Sequence, residues 1–381
     1  MREGWIYKKL KDIGVVVTGN TPSTKDKENY SSDDYCFVKP SDIAKDGVSI
    51  IKDSESYISE KGYNSSRKLP KGSVLTTCIG IIGKVGILEI DATCNQQINA
   101  IIPSRTIFPK YLALAILSVR SHLEAMANAP VVPIINKGVF SNVEIPVPSF
   151  EEQERIVAEL DLLTGIIDKQ KQQLKELDTL AQSIFYDMFG SPDANEKEWI
   201  MKSLAEIGTI VSGSTPSTSD ESNWDGDVNW VTPAELGVQL FYGETRRKIT
   251  SKAAKSLTIM PIGTLLMSSR APIGKLAITS VPMCCNQGFK NIVCGNNVNN
   301  IYLYYCLMLN INSIKAMGRG ATFKEVSKQA VSSFEIMLPP MNLQELFAQK
   351  ILSIESQKKS INRSIAESQK LFDYTMDKYF G

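Results

Sequence analysis

The sequence is poor in the residue types that many enzymes use in catalysis. It contains one histidine, His122, in a pattern typical of an amphipathic helix, so neither histidine-based nucleophilic catalysis nor a zinc site is expected. No acidic residue is followed two positions later by lysine, so the Glu-x-Lys metal site of many nucleases is absent. Asn-Pro-Pro and Asp-Pro-Pro, either of which would hold a flipped base for methyl transfer, do not occur. These absences argue against an enzyme that acts alone.

Cysteines and long hydrophobic runs are also scarce. The seven cysteines form no Cys-x-x-Cys pair, which is typical of reduced thiols rather than of a disulfide framework or a zinc site. No apolar run approaches 18 residues, and the N-terminus lacks the apolar core of a signal peptide. We therefore expect a cytoplasmic protein with no membrane partner. The net charge of +1 provides no overall field that would attract nucleic acid.

What the sequence does contain is a repeat of one unit in its two halves. Residues 10–30 and 204–224 are identical at eleven of 21 aligned positions, and both include Thr-Pro-Ser-Thr. Ile-Gly-Lys followed by Cys-Asn-Gln occurs in each half, in the same order. We infer a duplication and predict a first block over residues 1–149, a spacer helix over 150–189, a second block over 190–341 and a second spacer helix over 342–381.

The two spacer segments have the periodicity of long helices that pack against a partner. In each, apolar residues recur in alternating steps of four and three, which is a heptad seam that a lone globular helix rarely sustains. Polar residues such as Gln170 and Lys358 interrupt the seam, and isolated polar seam residues tend to fix the register of a coiled coil. The predicted seam consists of Ile156, Leu160, Leu163, Ile167, Leu174, Leu177, Ile184, Phe347, Ile351, Ile354, Ile361, Ile365 and Phe372.

Each block has the pattern of an α+β fold that is mostly β. Short β-branched runs bounded by glycine, proline and asparagine predict strands over residues 14–18, 73–79, 85–90, 99–102 and 143–147, and over 208–212, 263–267, 276–280, 291–294 and 335–338. One helix is predicted in each block, over residues 109–126 and 300–317.

Polar and basic loops on these blocks could bind nucleic acid. The hydroxyls and backbone amides of the Thr-Pro-Ser-Thr turns can hold phosphate oxygens, although plain surface turns use the same residues. Arginine can bind guanine, and asparagine or glutamine adenine, by paired hydrogen bonds in the major groove. The basic clusters could equally be solvated faces, and the Asn-Gln pairs could cap strands.

The predicted DNA-binding residues fall in both blocks, and no catalytic or metal-ligating residue is predicted. In the first block they are Thr21, Ser23, Thr24, Lys25, Lys39, Arg67, Lys68, Lys84, Asn95, Gln96, Gln97 and Lys137. In the second block they are Thr215, Ser217, Thr218, Arg246, Arg247, Lys248, Arg270, Lys275, Asn286, Gln287, Lys290, Arg319, Lys324 and Lys328. The basic loop at 318–324 differs completely from its counterpart at 128–133, as two different reading sites would, although loops also diverge without function.

The ordered set of motifs resembles the specificity subunit of Type I restriction–modification systems over essentially the whole chain. The resemblance rests on the block–helix–block–helix order, on Gly-x-Thr-Pro near each block's start, and on Ile-Gly-Lys followed by Cys-Asn-Gln. It also rests on Pro-Ser-Phe-Glu-Glu-Gln-Glu-Arg-Ile at the start of the first helix. The second helix begins with a weaker copy, Pro-Met-Asn-Leu-Gln-Glu-Leu at residues 340–346.

The resemblance implies that each block is a target recognition domain that reads one half of a bipartite, asymmetric site in double-stranded DNA. It implies that the two helices pair antiparallel and set the distance between the domains. The implied partners are methyltransferase and restriction–translocase subunits, which would bring the S-adenosylmethionine, ATP and Mg²⁺ sites. This chain would then be a non-catalytic subunit without a cofactor of its own. The alternative is a coiled-coil assembly protein whose β domains bind proteins, which the near-neutral charge favours slightly.

Overall fold

Two units with the same strand arrangement make up the chain, in agreement with the predicted duplication. The structure is a computed structural model that describes residues 5–127, 133–237, 239–270, 272–318 and 325–381. The first unit contains Met1–Gln170 and Ser364–Gly381, and the second contains Lys171–Arg363. Each long helix therefore contributes to both units. The block and helix boundaries given above remain predictions.

The first unit is built mainly from short strands. They are β1 (Ile6–Lys9), β2 (Gly14–Thr18), β3 (Tyr35–Val38), β4 (Val48–Ile51), β5 (Tyr57–Ile58), β6 (Val74–Thr77), β7 (Val85–Leu88), β8 (Thr93–Cys94), β9 (Ile98–Pro103) and β10 (Glu144–Val147). Its helices are α1 (Leu10–Ile13), α2 (Glu60–Asn64), α3 (Pro109–Ser118), α4 (Arg120–Met126) and α5 (Lys137–Ser141), followed by the long helix α6 (Phe150–Phe189).

The second unit repeats this order of elements. Its strands are β11 (Met201–Ser203), β12 (Gly208–Ser212), β13 (Trp224–Val231), β14 (Phe241–Tyr242), β15 (Arg247–Ile249), β16 (Leu265–Met267), β17 (Leu276–Thr279), β18 (Cys284–Cys285), β19 (Lys290–Cys294) and β20 (Glu335–Met337). Its helices are α7 (Leu204–Ile207), α8 (Ser251–Ala254), α9 (Asn300–Leu309), α10 (Ile311–Ala316) and α11 (Lys328–Ser332), followed by α12 (Met341–Phe380).

The sheets of the two units match strand for strand. The first unit has a five-stranded sheet in the order β2-β9-β6-β7-β4, and the second has β12-β19-β16-β17-β14. Three-stranded sheets follow the orders β5-β3-β8 and β15-β13-β18, and two-stranded sheets pair β1 with β10 and β11 with β20. In each unit the β4–β7 and β3–β8 pairs, or their equivalents, are parallel. The predicted fold class, with two β-rich domains of like topology, is confirmed.

The core of each unit contains side chains from the five-stranded sheet and from the long helices. Tyr111 of α3 is fully buried and its hydroxyl donates to the Pro146 carbonyl at 2.8 Å. Tyr302 of α9 is also fully buried, and its hydroxyl donates to the Met337 carbonyl at 2.7 Å. The rings of Tyr302 and Phe185 of α6 stack with centroids 5.7 Å apart. Burying large aromatic side chains stabilises such a core strongly, and here it also anchors the helices to the sheets.

The long helices run antiparallel within each unit. In the first unit, Arg155 of α6 donates to the Tyr379 hydroxyl of α12 at 3.1 Å, and Gln170 donates to Ser364 at 2.7 Å. In the second unit, the Lys358 ammonium lies 2.8 Å from the Asp178 carboxylate. Residue numbers thus rise along α6 as they fall along α12. Ile156, Leu160, Ile167, Phe347, Ile351 and Ile354 of the predicted seam are buried, and Leu163, Leu174, Leu177, Ile184, Ile361, Ile365 and Phe372 are half-buried.

The prediction of one helix at residues 109–126 and one at 300–317 is wrong in both blocks. Each region contains two helices, which are separated at Val119 in the first unit and at Asn310 in the second. Both residues have ψ of 11°, outside the α-helical range, so the helical hydrogen bonding is interrupted there. The apolar pattern continues through the break, and periodicity therefore could not reveal it.

All ten predicted strands are present, with bounds that differ by a few residues. The sequence missed β1, β3, β4, β5 and β8 and their counterparts β11, β13, β14, β15 and β18. Most of these strands have two to four residues, which is too short to show alternation. The longer β13 changes register between Trp224 and Val228, so its alternation is irregular.

Candidate nucleic-acid interface

In each unit the Gly-x-Thr-Pro turn is bonded to the Cys-Asn-Gln segment, and we call this pair of segments the clasp. In the first unit, the Asn20 amide donates to the Cys94 carbonyl at 3.0 Å, and the Thr21 hydroxyl donates to the Gln96 side chain at 2.6 Å. In the second unit, the Ser214 amide donates to the Cys285 carbonyl at 2.9 Å. The Thr215 hydroxyl likewise donates to the Gln287 side chain. Two motifs far apart in sequence therefore form one surface feature in each unit.

The glycine of the turn is required by this close approach. A Cβ atom on Gly19 would lie 2.2 Å from the Asn95 carbonyl oxygen, and one on Gly213 would lie 2.1 Å from the Asn286 carbonyl oxygen. Real side chains do not approach backbone oxygens so closely, so any larger residue would push the turn away. The repeated glycine is explained by packing of the clasp.

The asparagines of the clasp have a local structural role. The backbone amides of Asn95 and Asn286 donate to the carbonyls of Val38 and Val231, each at 3.1 Å. The Asn95 side-chain oxygen accepts from the Gln97 amide at 3.1 Å. Such bonds fix the turn and agree with the strand-capping alternative for these residues. Asn95 is buried, whereas Gln96 and Gln287 are exposed, so the glutamines are the better placed to contact a ligand.

An aromatic side chain donates a hydrogen bond to the backbone of each Thr-Pro-Ser-Thr turn. The Tyr30 hydroxyl donates to the Pro22 carbonyl at 2.8 Å, and the Trp224 indole donates to the Ser217 carbonyl at 3.2 Å. These two bonds are accepted by main-chain oxygens and therefore do not occupy the hydroxyl groups of the turns. Ser23, Thr24, Lys25, Ser217 and Thr218 are exposed, and Thr215 is half-buried.

Burial raises the pKa of the clasp cysteines Cys94 and Cys285 to about 12 each. Both thiols therefore stay protonated at neutral pH, and a thiolate nucleophile is not expected here. In the described part of the chain, no group of three or more His, Cys, Asp or Glu side chains is arranged to hold a metal ion.

Basic residues adjoin the clasp of the first unit. The Arg67 guanidinium donates to the Thr18 carbonyl at 2.5 Å, and its backbone amide donates to the Asn20 side chain at 2.8 Å. Lys68 is exposed, with its ammonium 4.9 Å from the centre of the Tyr63 ring. Lys39 is half-buried and donates to the Ser56 hydroxyl at 2.8 Å. Arg67 and Lys68 thus extend the clasp into a basic surface.

Lys84 differs from its exposed neighbours in the prediction, such as Arg67 and Lys68, because its side chain is buried. It is 9% exposed, and its ammonium donates to the Pro40 carbonyl. This bond links two segments of the first unit. In this structure Lys84 therefore has a packing role, which sequence alone did not indicate.

In the second unit a stacked arginine adjoins the clasp. The Arg247 guanidinium lies 3.7 Å from the centre of the Trp224 ring and 5.6 Å from that of Trp230. Since the Trp224 indole bonds the Ser217 carbonyl, Arg247 lies beside the turn. Arg246 and Lys248 are exposed, whereas Lys275 is half-buried. Sequence reasoning named Arg247 but missed Trp224, which alignment with Tyr30 could have suggested.

The remaining predicted residues are placed as follows. Arg270 forms an ion pair with Glu325 at 2.9 Å, and Lys290 lies 3.3 Å from the same carboxylate. Lys137 and Lys328 are exposed first residues of the matched helices α5 and α11. Arg319 and Lys324 lie outside the described residues. Glu325, which organises two of the predicted basic side chains, was not anticipated.

No helix in the described ranges combines the length and the hydrophobicity needed to cross a bilayer.

Known proteins with similar sequences include specificity subunits of type I restriction enzymes. The 25%-identical match to a putative type I restriction enzyme MjaX specificity subunit from Methanocaldococcus jannaschii covers 93% of this chain and 87% of that protein. The MjaIX specificity subunit from the same organism is 39% identical over 158 residues, or 40% of this chain and 37% of that protein. The second match therefore spans well under half of its relative.

Solved structures share the fold. A chain from work on complex assembly and conformational transition of the type I R-M system has a TM-score of 0.65 at 19% identity, covering 100% of this chain and 98% of that chain. The S subunit of a Type-I restriction-modification system from M. genitalium has a TM-score of 0.57 at 14% identity, covering 99% and 96%. Because both sequence identities are below 20%, these similarities support the fold alone.

The family model described as Type I restriction modification DNA specificity domain matches residues 2–179 and again residues 196–368. The two matches cover both halves of the duplicated chain, and they agree with the resemblance that the motifs suggested. This protein belongs to the family of Type I restriction–modification DNA specificity proteins and carries the family's domain twice.

Proposed function

We propose that this chain reads a bipartite, asymmetric DNA target for a Type I restriction–modification complex, with each unit recognising one half-site. The observation that carries the proposal is the repeated clasp. Both units have the same backbone hydrogen bond and the same side-chain hydrogen bond between the turn and the Cys-Asn-Gln segment, but different basic residues surround them. Two units that recognise different DNA sequences are expected to share a backbone arrangement and to differ in the side chains around it.

The chemistry of the clasp suits a nucleic acid. Exposed hydroxyls and lysines can bind phosphate oxygens, which position a protein on the duplex without reading sequence. The exposed glutamines Gln96 and Gln287 can form paired hydrogen bonds with adenine, and exposed arginines such as Arg247 with guanine. Stacking on Trp224 leaves the edges of the Arg247 guanidinium available for such bonds.

The long helices are proposed to set the distance between the half-sites. Each has 40 residues, which corresponds to roughly 60 Å at a rise of about 1.5 Å per residue. Reading heads on one face of a duplex are best separated by whole helical turns of about 34–36 Å or multiples of that distance. A rigid antiparallel pair of this length can impose such a separation.

Partners are proposed to supply the reactions. Methyltransferase subunits would dock on exposed faces of α6 and α12, and restriction–translocase subunits would complete the complex. The S-adenosylmethionine, ATP and Mg²⁺ would belong to those partners, and this chain would be a non-catalytic subunit working in the cytoplasm. The exposed acids Glu151 and Glu154 at the start of α6 are candidate docking residues.

The test is selection of bound sequences from a random duplex library by the full chain together with its methyltransferase subunit. We expect two short conserved half-sites separated by a fixed spacer, with affinity that falls steeply as salt rises. Replacing both Arg67 and Lys68 by alanine should change only one half-site, and Arg247→Ala only the other.

A matched control is Lys52→Ala, which removes an exposed positive charge beside β4, at the opposite edge of the five-stranded sheet from β2. This variant should select the wild-type target. If the wild-type complex bound no DNA, and the chain instead bound an unrelated protein stably, the coiled-coil assembly alternative would be favoured.

A further inference from the structure

An ion triad in the second unit holds an arginine beside the clasp. Glu325 Oε2 accepts a hydrogen bond from Arg270 Nε at 2.9 Å, and Glu325 Oε1 lies 3.3 Å from Lys290 Nζ. The Arg270 side chain is 50% exposed, whereas that of Lys290 is 10% exposed. The arginine thus faces solvent while the lysine supports the carboxylate from the interior.

The backbone connects this triad to the clasp. The Ser269 amide donates to the Gly288 carbonyl at 2.8 Å, directly after Gln287 of the clasp. The Val326 amide donates to the Ser269 carbonyl at 2.9 Å, and Arg270 pairs with Glu325 in an antiparallel bridge. Arg270 is therefore part of the same continuous surface as the predicted DNA-binding glutamine.

The first unit has the same backbone frame but no ion triad. There the Cys78 amide donates to the Gln97 carbonyl at 2.8 Å, and the Ile135 amide donates to the Cys78 carbonyl at 2.9 Å. Ile79 pairs with Ile134 in the equivalent bridge, and Asn99 stands where the second unit has Lys290. Two matched frames thus present an apolar pair in one unit and a charged arginine in the other.

The geometry of the triad pre-orients the guanidinium. The bond from Nε to Glu325 fixes the plane of the group, and Nη1 and Nη2 make no hydrogen bond to any residue that the structure describes. Paired donors of this kind match the O6 and N7 acceptors of guanine in the major groove. A side chain already held in its binding conformation loses less entropy on binding, so it binds more tightly.

The carboxylate can keep this role at neutral pH. Burial alone would raise the pKa of Glu325, but hydrogen bonds from Arg270 and Lys290 outweigh burial and lower the pKa. Lys290 also balances the negative charge, so the three side chains together keep a formal charge of about +1.

We propose that Arg270 binds a guanine in the half-site read by the second unit, and that Glu325 is the positioning residue that holds its guanidinium for that contact. The inference rests on the proposed function, because it presumes that the second unit reads a half-site. It goes further by assigning one base identity to one residue pair and by predicting no counterpart in the first unit.

The test is the same duplex selection with the full chain and its methyltransferase subunit, applied to Arg270→Ala, Glu325→Ala and Glu325→Gln. Arg270→Ala should lose the preference for guanine at one position of one half-site and bind the wild-type target roughly 5- to 150-fold more weakly. Glu325→Ala should relax the same position, and Glu325→Gln should restore part of the preference because its amide oxygen can still accept from Nε. The control Ile134→Ala should leave that half-site unchanged.

Each other outcome overturns the inference. Uniform loss of affinity by Arg270→Ala, with unchanged base preference and a shallower salt dependence, would identify a phosphate contact instead. If folded Glu325→Gln and Glu325→Ala both kept the wild-type preference for guanine, Glu325 would have no positioning role. If circular dichroism shows that Glu325→Ala is unfolded, the result for Glu325→Gln alone decides. Failure of the wild-type complex to select any bipartite site would instead reject the proposed function itself.

Discussion

Gln153 of α6 and Gln344 of α12 make the same hydrogen bonds in their respective units. Gln153 accepts from the Phe108 amide at 2.9 Å and donates to the Pro148 carbonyl at 3.0 Å. Gln344 accepts from the Asn299 amide at 2.8 Å and donates to the Pro339 carbonyl at 2.8 Å. Both side chains are 0% exposed. The glutamine in the helix-opening motif therefore ties each long helix to its β domain.

Replacing Gln344 by leucine should destabilise the second unit. The Asn299 amide and the Pro339 carbonyl would lose a partner in a buried setting, which costs about 1–3 kcal/mol for each unsatisfied group. Hydrogen–deuterium exchange should show faster exchange of amides in the second unit and little change around Gln153. The matched control is Glu345→Ala, at the next position, where the side chain is exposed. If amides of the second unit exchanged equally slowly in both variants, Gln344 would have no structural role.

Gly213→Ala should disturb the clasp of the second unit. Its Cβ atom would meet the Asn286 carbonyl oxygen at 2.1 Å, and overpacking of this kind costs roughly 1–3 kcal/mol. We expect a lower thermal midpoint and weakened recognition of one half-site in duplex selection. Gly237→Ala, whose Cβ would have nothing within 4 Å, should change neither measurement appreciably. A Gly213→Ala protein with wild-type stability and target would show that the clasp tolerates displacement.

Shortening both long helices by one heptad should shorten the spacer of the DNA target. Gln170 and Ser364 are bonded to each other, so deleting residues 167–173 and 361–367 removes facing segments and keeps the heptad seam in register. The loss is about 10 Å of helix, or about three base pairs at 3.4 Å each. Duplex selection should return the same half-sites with a shorter spacer. Altered half-sites with an unchanged spacer would refute the role of the helices in spacing.

Lys358→Met should lower stability at neutral pH but not at high pH. Burial opposes the charge of Lys358, but the hydrogen bonds that its ammonium donates to the Asp178 and Glu355 carboxylates outweigh burial and raise its pKa above the ordinary value of 10.5. Because the folded-state pKa is the higher one, the stabilisation is complete below about pH 10 and disappears as pH rises through the folded value. We expect a loss of about 1.5–2 kcal/mol at pH 7, the lower part of the range for hydrogen bonds to charged groups because Asp178 is exposed.

The measurement is the free energy of unfolding in urea for wild type and Lys358→Met between pH 7 and pH 11. The difference between the two proteins should shrink toward the alkaline end, since other groups that titrate there are common to both. A difference that stays constant over this range would show that Lys358 contributes through packing of its aliphatic stem.

The repeat in the sequence predicted the overall fold well, but it predicted individual short helices and strands less well. Matched motifs predicted two like units, and the heptads predicted two long helices. The breaks at Val119 and Asn310 were missed because a single residue with ψ near zero leaves the apolar pattern intact. Strands of two residues such as β8 were missed because a period of two needs more residues to be visible.

For the candidate interface, residue type alone could not separate surface from interior. Lys84 and Lys290 looked equivalent to Lys68 in sequence, yet they are 9% and 8% exposed, whereas Lys68 is exposed. Glu325 was overlooked because an acid is not an obvious component of a DNA-binding surface. Its importance comes from its position opposite Arg270, which depends on a bridge between segments 55 residues apart.

The sequence by itself determined the duplication, the two long helices and the family, because these depend on repeated patterns along the chain. Only the tertiary structure decided which polar side chains meet. The contact between Thr21 and Gln96 and the triad around Glu325 join residues distant in sequence. Such contacts are fixed by strand pairing and packing, and those depend on the whole fold rather than on any local stretch of residues.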